Sequence, residues 1–124
     1  MIDKLDDIFE KQYMLEERFS KIDKSIVWPP ENLDISSKSG QAVLRDIAFR
    51  MVEELYEAFR HLKNKPHSIK DNRQINLDEL REEIADVFVY MVNLCLFLKI
   101  DSQTLYDEFC KKCEKNNKRI DNGY

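Results

Sequence analysis

Helix-breaking residues are scarce in this chain. Proline stands only at Pro29, Pro30 and Pro66, and glycine only at Gly40 and Gly123. A backbone with so few places to turn must run in long stretches, and the 35% of charged residues gives those stretches solvated faces. The fold class that follows is all-α: one four-helix bundle-like domain over residues 1–124. At 124 residues the chain can bury a core with little to spare.

Apolar side chains at Ile2, Leu5, Ile8, Phe9, Tyr13, Leu15 and Phe19 predict an amphipathic N-terminal helix within residues 1–23. Residues 24–40 hold Trp28-Pro29-Pro30 and the polar Ser36-Ser37-Lys38-Ser39-Gly40, a loop long enough to serve as a lid or a partner-binding arm. Residues 41–124 are expected to carry the chemistry. Leu44, Ile47, Ala48, Met51, Leu55, Ala58, Phe59 and Leu62 form the stripe of a second helix over about 41–63, which Lys65-Pro66 closes. A third helix, over about 78–100, is acidic in its first turn and then apolar on every side, which predicts the central position in the bundle. Asp101-Ser102 can cap a fourth over about 103–118. A small bundle with one helix apolar all round exposes surface that a second copy would cover, so a homodimer or homotetramer is expected.

Several function classes fall away. A net charge of −4 argues against general affinity for nucleic acid or anionic lipid. The apolar run from Ile84 to Leu98 is too short for a membrane span and contains Asp86 and Asn93. Three cysteines fit a reducing compartment better than a disulfide framework, and the acidic start Met1-Ile2-Asp3-Lys4-Leu5-Asp6-Asp7 lacks the order of a signal peptide, so a cytoplasmic location is expected. Cys110 and Cys113 have zinc-like spacing, but His61 and His67 are remote in sequence and a structural site needs four ligands. No glycine-rich phosphate loop occurs.

Two acidic clusters remain: Glu53-Glu54-Leu55-Tyr56-Glu57 and Glu83-Ile84-Ala85-Asp86. Residues three apart share a helix face, so Glu54 with Glu57, and Glu83 with Asp86, make two carboxylate pairs. Like charges about 4 Å apart repel by ~1 kcal/mol in water and ~4 kcal/mol at an effective dielectric of 20. A hard divalent cation is the natural compensation: Mg2+, with Mn2+ as a substitute. Asp86, between Ala85 and Val87, is expected to be buried, which is costly without a cation or several donors. Glu53 is either a solvated charge or a group that positions an attacking water. Asn93, seven residues past Asp86 on the same face, either reads a base or ribose or bonds a neighbouring helix. In the basic run from Lys111 to Arg119, the side chains of Lys112, Asn116 and Arg119 share one side and suit a polyphosphate.

With both clusters in place, the chain resembles the all-α nucleoside triphosphate pyrophosphatases of the MazG-like superfamily, whose pattern is Glu-Glu-x-x-Glu followed on the next helix by Glu-x-x-Asp. The resemblance covers residues 40–124. Asn93, Lys112, Asn116 and the ending Arg119-Ile120-Asp121-Asn122-Gly123-Tyr124 look most like the phage-type dUTP and dCTP pyrophosphatases, from which Cys113 and Ile120 depart. The resemblance implies hydrolysis of a nucleoside triphosphate to the monophosphate and pyrophosphate. It places Glu54, Glu57, Glu83 and Asp86 on metal, Glu53 on the water, Lys112 and Arg119 on the polyphosphate, and Asn93 and Asn116 on base or sugar. Trp28 either stacks on the base or packs on its own domain. The competing readings are a broad or purine-directed house-cleaning pyrophosphatase and a non-enzymatic helical interaction module.

Overall fold

The computed structural model describes residues 3–70 and 73–123, which form four α-helices and one short 3-10 turn, with no strand among them. Ile2, Tyr124 and residues 71–72 of the connector lie outside the described residues. Helix α1 spans Lys4–Ile22, α2 Lys38–Phe59, α3 Leu77–Phe97 and α4 Ser102–Asp121, with the 3-10 turn at Pro30–Asn32. No described helix is long and apolar enough to cross a membrane.

Each helix starts where a short polar side chain can satisfy free backbone N–H groups. The carboxylate of Asp3 accepts from Leu5 and Asp6, Ser37 Oγ from Gly40, Asn76 Oδ1 from Glu79 and the Asp101 carboxylate from Thr104. Ser37 carries α2 back to Lys38, three residues earlier than its stripe suggests. Gly40 is required there, because a Cβ at this position would lie 1.8 Å from the Asp34 carbonyl oxygen. Helix α2 also ends early. Beyond Phe59 the backbone tightens into i to i+3 turns, His61 N–H to the Ala58 carbonyl and Leu62 N–H to that of Phe59, so His61 and Leu62 fall outside the helix.

Helices α2 and α3 run antiparallel. Ile47 packs with Phe97 at one end, while His61 meets Glu83 at the other. Helix α1 lies against α3 and fills one core cluster, Phe9 with Val92 and Cys95. Leu33, Ile47 and Phe97 form a second cluster. Val92 is only 1% exposed, and burial of a side chain of this size contributes about 1.5–3 kcal/mol.

The segment expected as a lid or arm belongs to this second cluster. Leu33 is buried, and the Trp28 ring lies 4.8 Å from that of Tyr13 and 6.3 Å, edge-on, from that of Phe97. Trp28 therefore packs on its own domain. The bundle expectation is met unevenly. Leu105 reaches the Phe9 cluster and Ser102 Oγ donates to the Asp6 carboxylate, but every described residue of α4 from Tyr106 onward is exposed. Helix α3 is central only in its C-terminal half, where Val92, Asn93, Cys95 and Phe97 are buried. Its N-terminal half leaves Ile84 49% and Phe88 41% exposed.

Candidate active site

The antiparallel pairing of α2 and α3 sets the late turns of one beside the early turns of the other. This brings Glu54 and Glu57 to the same stretch of groove as Glu83 and Asp86. Glu54 is half-buried, and its carboxyl is held above the ordinary carboxylate range, first by burial and then by the charges of Glu57 and Asp86, a hydrogen bond with Glu57, and the charge of Glu83. Glu54 thus lies within the field of the other three.

Asp86 corrects an expectation: it is exposed. Apolar neighbours along a sequence bury a residue only where the helix has packing partners on several sides. The first half of α3 has α2 on one side and open surface around Ile84, Phe88 and Val89. No burial cost at Asp86 calls for a cation; its charge bears on the site through its proximity to Glu54. Glu53, Glu57 and Glu82 are exposed as well, and Glu83 is half-buried.

Among the described residues, no three His, Cys, Asp or Glu side chains are disposed to hold a metal ion as they stand. The chemistry of the donor set nevertheless fits a hard divalent cation. The donors are all carboxylate oxygens, Glu54 feels three like charges, and Glu83 Oε2 is shielded from solvent beside the His61 ring. Cys110 and Cys113 are free, exposed thiols.

Further along the same groove a cavity of about 550 Å³ opens between α1, α2 and α3. Phe19, Ile47 and Phe97 supply apolar wall, and Glu16, Arg50, Tyr90 and Asn93 supply polar groups. Asn93 is 8% exposed, and its Oδ1 has no hydrogen-bond partner. At 1.5 Å per residue, Asn93 lies about 10 Å along α3 from Asp86. Arg50 Nε donates to the Asp46 carboxylate at 2.9 Å, and Tyr90 also faces Arg50; both strengthen the hold on its proton. Burial raises the Glu16 carboxyl above its ordinary value.

Lys112, Asn116 and Arg119 are exposed on α4, which packs against α1 and not against α2. Packing within one chain does not bring them to the carboxylates. The sequence reading also missed side chains that the structure places at this groove. His61, set aside as remote from the cysteines, stands with Nε2 2.9 Å from Glu83 Oε2. Its signal was the four-residue step from Glu57, the same step that leads from Arg50 to Glu54 and from Asp86 to Tyr90.

Comparison with curated proteins finds no match, and neither does comparison with solved structures. A family model described as the MazG nucleotide pyrophosphohydrolase domain matches residues 44–121, a stretch that contains both acidic clusters, Asn93 and the basic residues of α4, and leaves α1 and the Trp28 segment outside. Since that match spans more than half of the chain, the protein belongs to the MazG nucleotide pyrophosphohydrolase family.

Proposed function

We propose that this pyrophosphohydrolase cleaves a deoxynucleoside triphosphate, dUTP or dCTP, to the monophosphate and pyrophosphate with Mg2+, for which Mn2+ substitutes. The observation that carries this reading is the position of Glu54 among Glu57, Asp86 and Glu83, inside the stretch that matches the family. Glu54, Glu57, Glu83 and Asp86 are the residues that would hold the cation. A divalent cation so held supplies neutralisation of phosphate charge and a more acidic water.

This chain's own groups do the rest. Glu53, exposed one residue before Glu54, accepts a proton from the water that attacks the α-phosphorus, as the bond to the β-phosphate oxygen breaks and pyrophosphate leaves. Asn93 offers its unpartnered Oδ1 to base or sugar in the cavity beside Phe97, and the apolar walls exclude water from the nucleoside. Lys112 and Arg119 grip the polyphosphate, and Asn116 joins Asn93 on base or sugar. Because α4 projects from its own body, those three residues serve the site of a second copy. The exposed Ile84, Phe88 and Met91 on α3, with Tyr106 and Phe109 on α4, form the contact of a homodimer or homotetramer.

The test is pyrophosphate release from each deoxynucleoside triphosphate in turn with Mg2+. Release favouring dUTP or dCTP, abolished in Glu54→Gln and in Asp86→Asn, supports the proposal. A broad or purine-directed profile keeps the chemistry and overturns the base assignment. No release from any triphosphate, with no thermal shift from Mg2+ plus a non-hydrolysable analogue, leaves the helical interaction module as the better reading.

A further inference from the structure

The cavity between α1, α2 and α3 is lined by three carboxylates, Glu16, Asp23 and Asp46, against one cation, Arg50. Two of the donors on its walls are already engaged by those carboxylates: Arg50 Nε donates to Asp46 at 2.9 Å and Ser25 Oγ to Asp23 at 2.6 Å. Acceptors are left over. Asn93 Oδ1 has no hydrogen-bond partner. The half-buried Glu16 carboxylate receives, among the described residues, one long contact of 3.4 Å from Gln12 Nε2 and no ion pair. Burial without a facing cation is the cause of its raised pKa. A half-buried anion short of donors is costly, and a ligand that brings an N–H to it offsets that cost.

A cavity of this charge repels phosphate and suits the nucleoside end of a nucleotide, with the apolar walls of Phe19, Ile47 and Phe97 against the ring. The two pyrimidines of the proposed function differ at one edge. Cytosine carries a 4-amino group there, a donor, and uracil carries a carbonyl oxygen, an acceptor that a carboxylate repels. We propose that Glu16 is the base-reading residue of this site: its carboxylate accepts a hydrogen bond from the 4-amino group of cytosine, which makes dCTP the substrate and dUTP the rejected analogue. This rests on the reading of the cavity as the nucleoside pocket of a pyrophosphohydrolase, and it does not involve the carboxylate cluster or a cation held there. Glu16 lies on α1, outside the stretch 44–121 that matches the family. The family segment thus carries the hydrolytic chemistry, and the N-terminal helix supplies the choice of base.

The experiment compares kcat/KM in mildly alkaline buffer with Mg2+ for three substrates: dCTP, dUTP and the triphosphate of 2-pyrimidinone deoxyriboside, which is the cytosine nucleotide with its amino group replaced by hydrogen. The wild type is expected to favour dCTP over both. In Glu16→Gln, whose amide can donate to uracil or accept from cytosine, the ratio of dCTP to dUTP is expected to fall ~10- to 100-fold, the scale of one charge-assisted hydrogen bond. Glu16→Ala, which accepts from neither base, is expected to bring dCTP level with the pyrimidinone analogue. Should Glu16→Ala lose its helical circular dichroism, the isosteric Glu16→Gln carries the test. Equal losses on all three substrates overturn the inference, because a sugar contact or a structural role does not distinguish them. A wild type that cleaves dUTP as fast as dCTP overturns it too, and both results leave the proposed function standing. Calorimetric titration of the metal-free protein with dCMP and dUMP separates the two claims. If no triphosphate is hydrolysed the proposed function fails, and a preference for dCMP that Glu16→Gln removes still upholds the role of Glu16. Equal binding of dCMP and dUMP, or none, overturns that role as well.

Discussion

Helices α3 and α4 have nearly equal length, 21 and 20 residues, and both carry apolar side chains at helical spacing, yet α3 buries Val92, Asn93, Cys95 and Phe97 while α4 buries nothing. The difference lies in their neighbours. The C-terminal half of α3 is enclosed by α1, α2 and the Leu33 segment, whereas α4 meets the body at Ser102 and Leu105 and then leaves it. Amphipathic patterning states that a face wants cover. It does not state whether the same chain or another supplies it. Helix α3 is covered by its own chain over its C-terminal half, and α4 leaves its apolar side chains beyond Leu105 open.

The sharpest way to break this contrast is at the chemistry, which is assigned to the α2 and α3 pair. Glu54→Gln keeps the size and polarity of the side chain and removes its charge. It is expected to lower kcat/KM by ~10³-fold, measured as pyrophosphate release, with little change in helical content. A loss of this size from a substitution on α4 alone, with Glu54→Gln near wild type, would place the reacting centre on the wrong helices.

Stability is the next probe. Val92→Ala opens a void in a fully enclosed position and should cost about 2 kcal/mol, or ~8 °C in Tm. Phe109→Ala removes a far larger side chain from α4, but one that is 67% exposed, so the monomer should change by no more than about 0.5 kcal/mol. Its effect should appear in sedimentation velocity, as a shift toward monomer at low protein concentration. Equal melting losses for the two variants, with no change in sedimentation, would mean that α4 is as much a part of the single-chain core as α3.

What the sequence made legible follows the same line. The helices could be read because proline, glycine and capping residues mark their limits locally, and the two carboxylate pairs could be read because the three-residue step puts each pair on one face. The exposure of Asp86 could not, since it depends on how many elements surround one half of α3. The sequence leaves Trp28 open between base and core because its partners, Tyr13 and Phe97, are brought to it only by folding. His61 is illegible for a related reason: its partner Glu83 lies on the far side of a connector.

The basic residues of α4 give a smaller effect with a distinctive form. Arg119→Ala is expected to raise KM for the triphosphate ~10-fold, about 1.4 kcal/mol, with kcat less affected, because a polyphosphate grip is made in ground state and transition state alike. If α4 serves a neighbouring copy, mixing Arg119→Ala with Glu54→Gln subunits should regenerate some sites with normal KM. Mixtures that show only the sum of the two separate activities would argue that each chain completes its own site.

The smallest effect is a linkage between pH and stability, to which Glu54 on α2 and Glu16 on α1 both contribute. The Glu54 carboxyl binds its proton more tightly in the folded chain than in the unfolded one, because burial and the charges of Glu57, Asp86 and Glu83 disfavour its anion. Between the ordinary glutamate value and the raised one, the native state therefore holds more proton than the unfolded state, and stability must fall as pH rises through that window. A metal-free sample melted at a series of pH values across this range should show Tm declining with pH. Glu54→Gln should make the decline shallower, leaving the part due to Glu16, and saturating Mg2+ should do the same by giving the anionic cluster the positive charge it lacks. Substitution of Glu114 on α4, 70% exposed and paired only with Lys118, should leave the slope as it is. A slope left unchanged by Glu54→Gln and removed by Glu16→Gln would mean that the buried Glu16 carboxyl alone causes it, and the cluster would lose the repulsion on which its affinity for a cation depends.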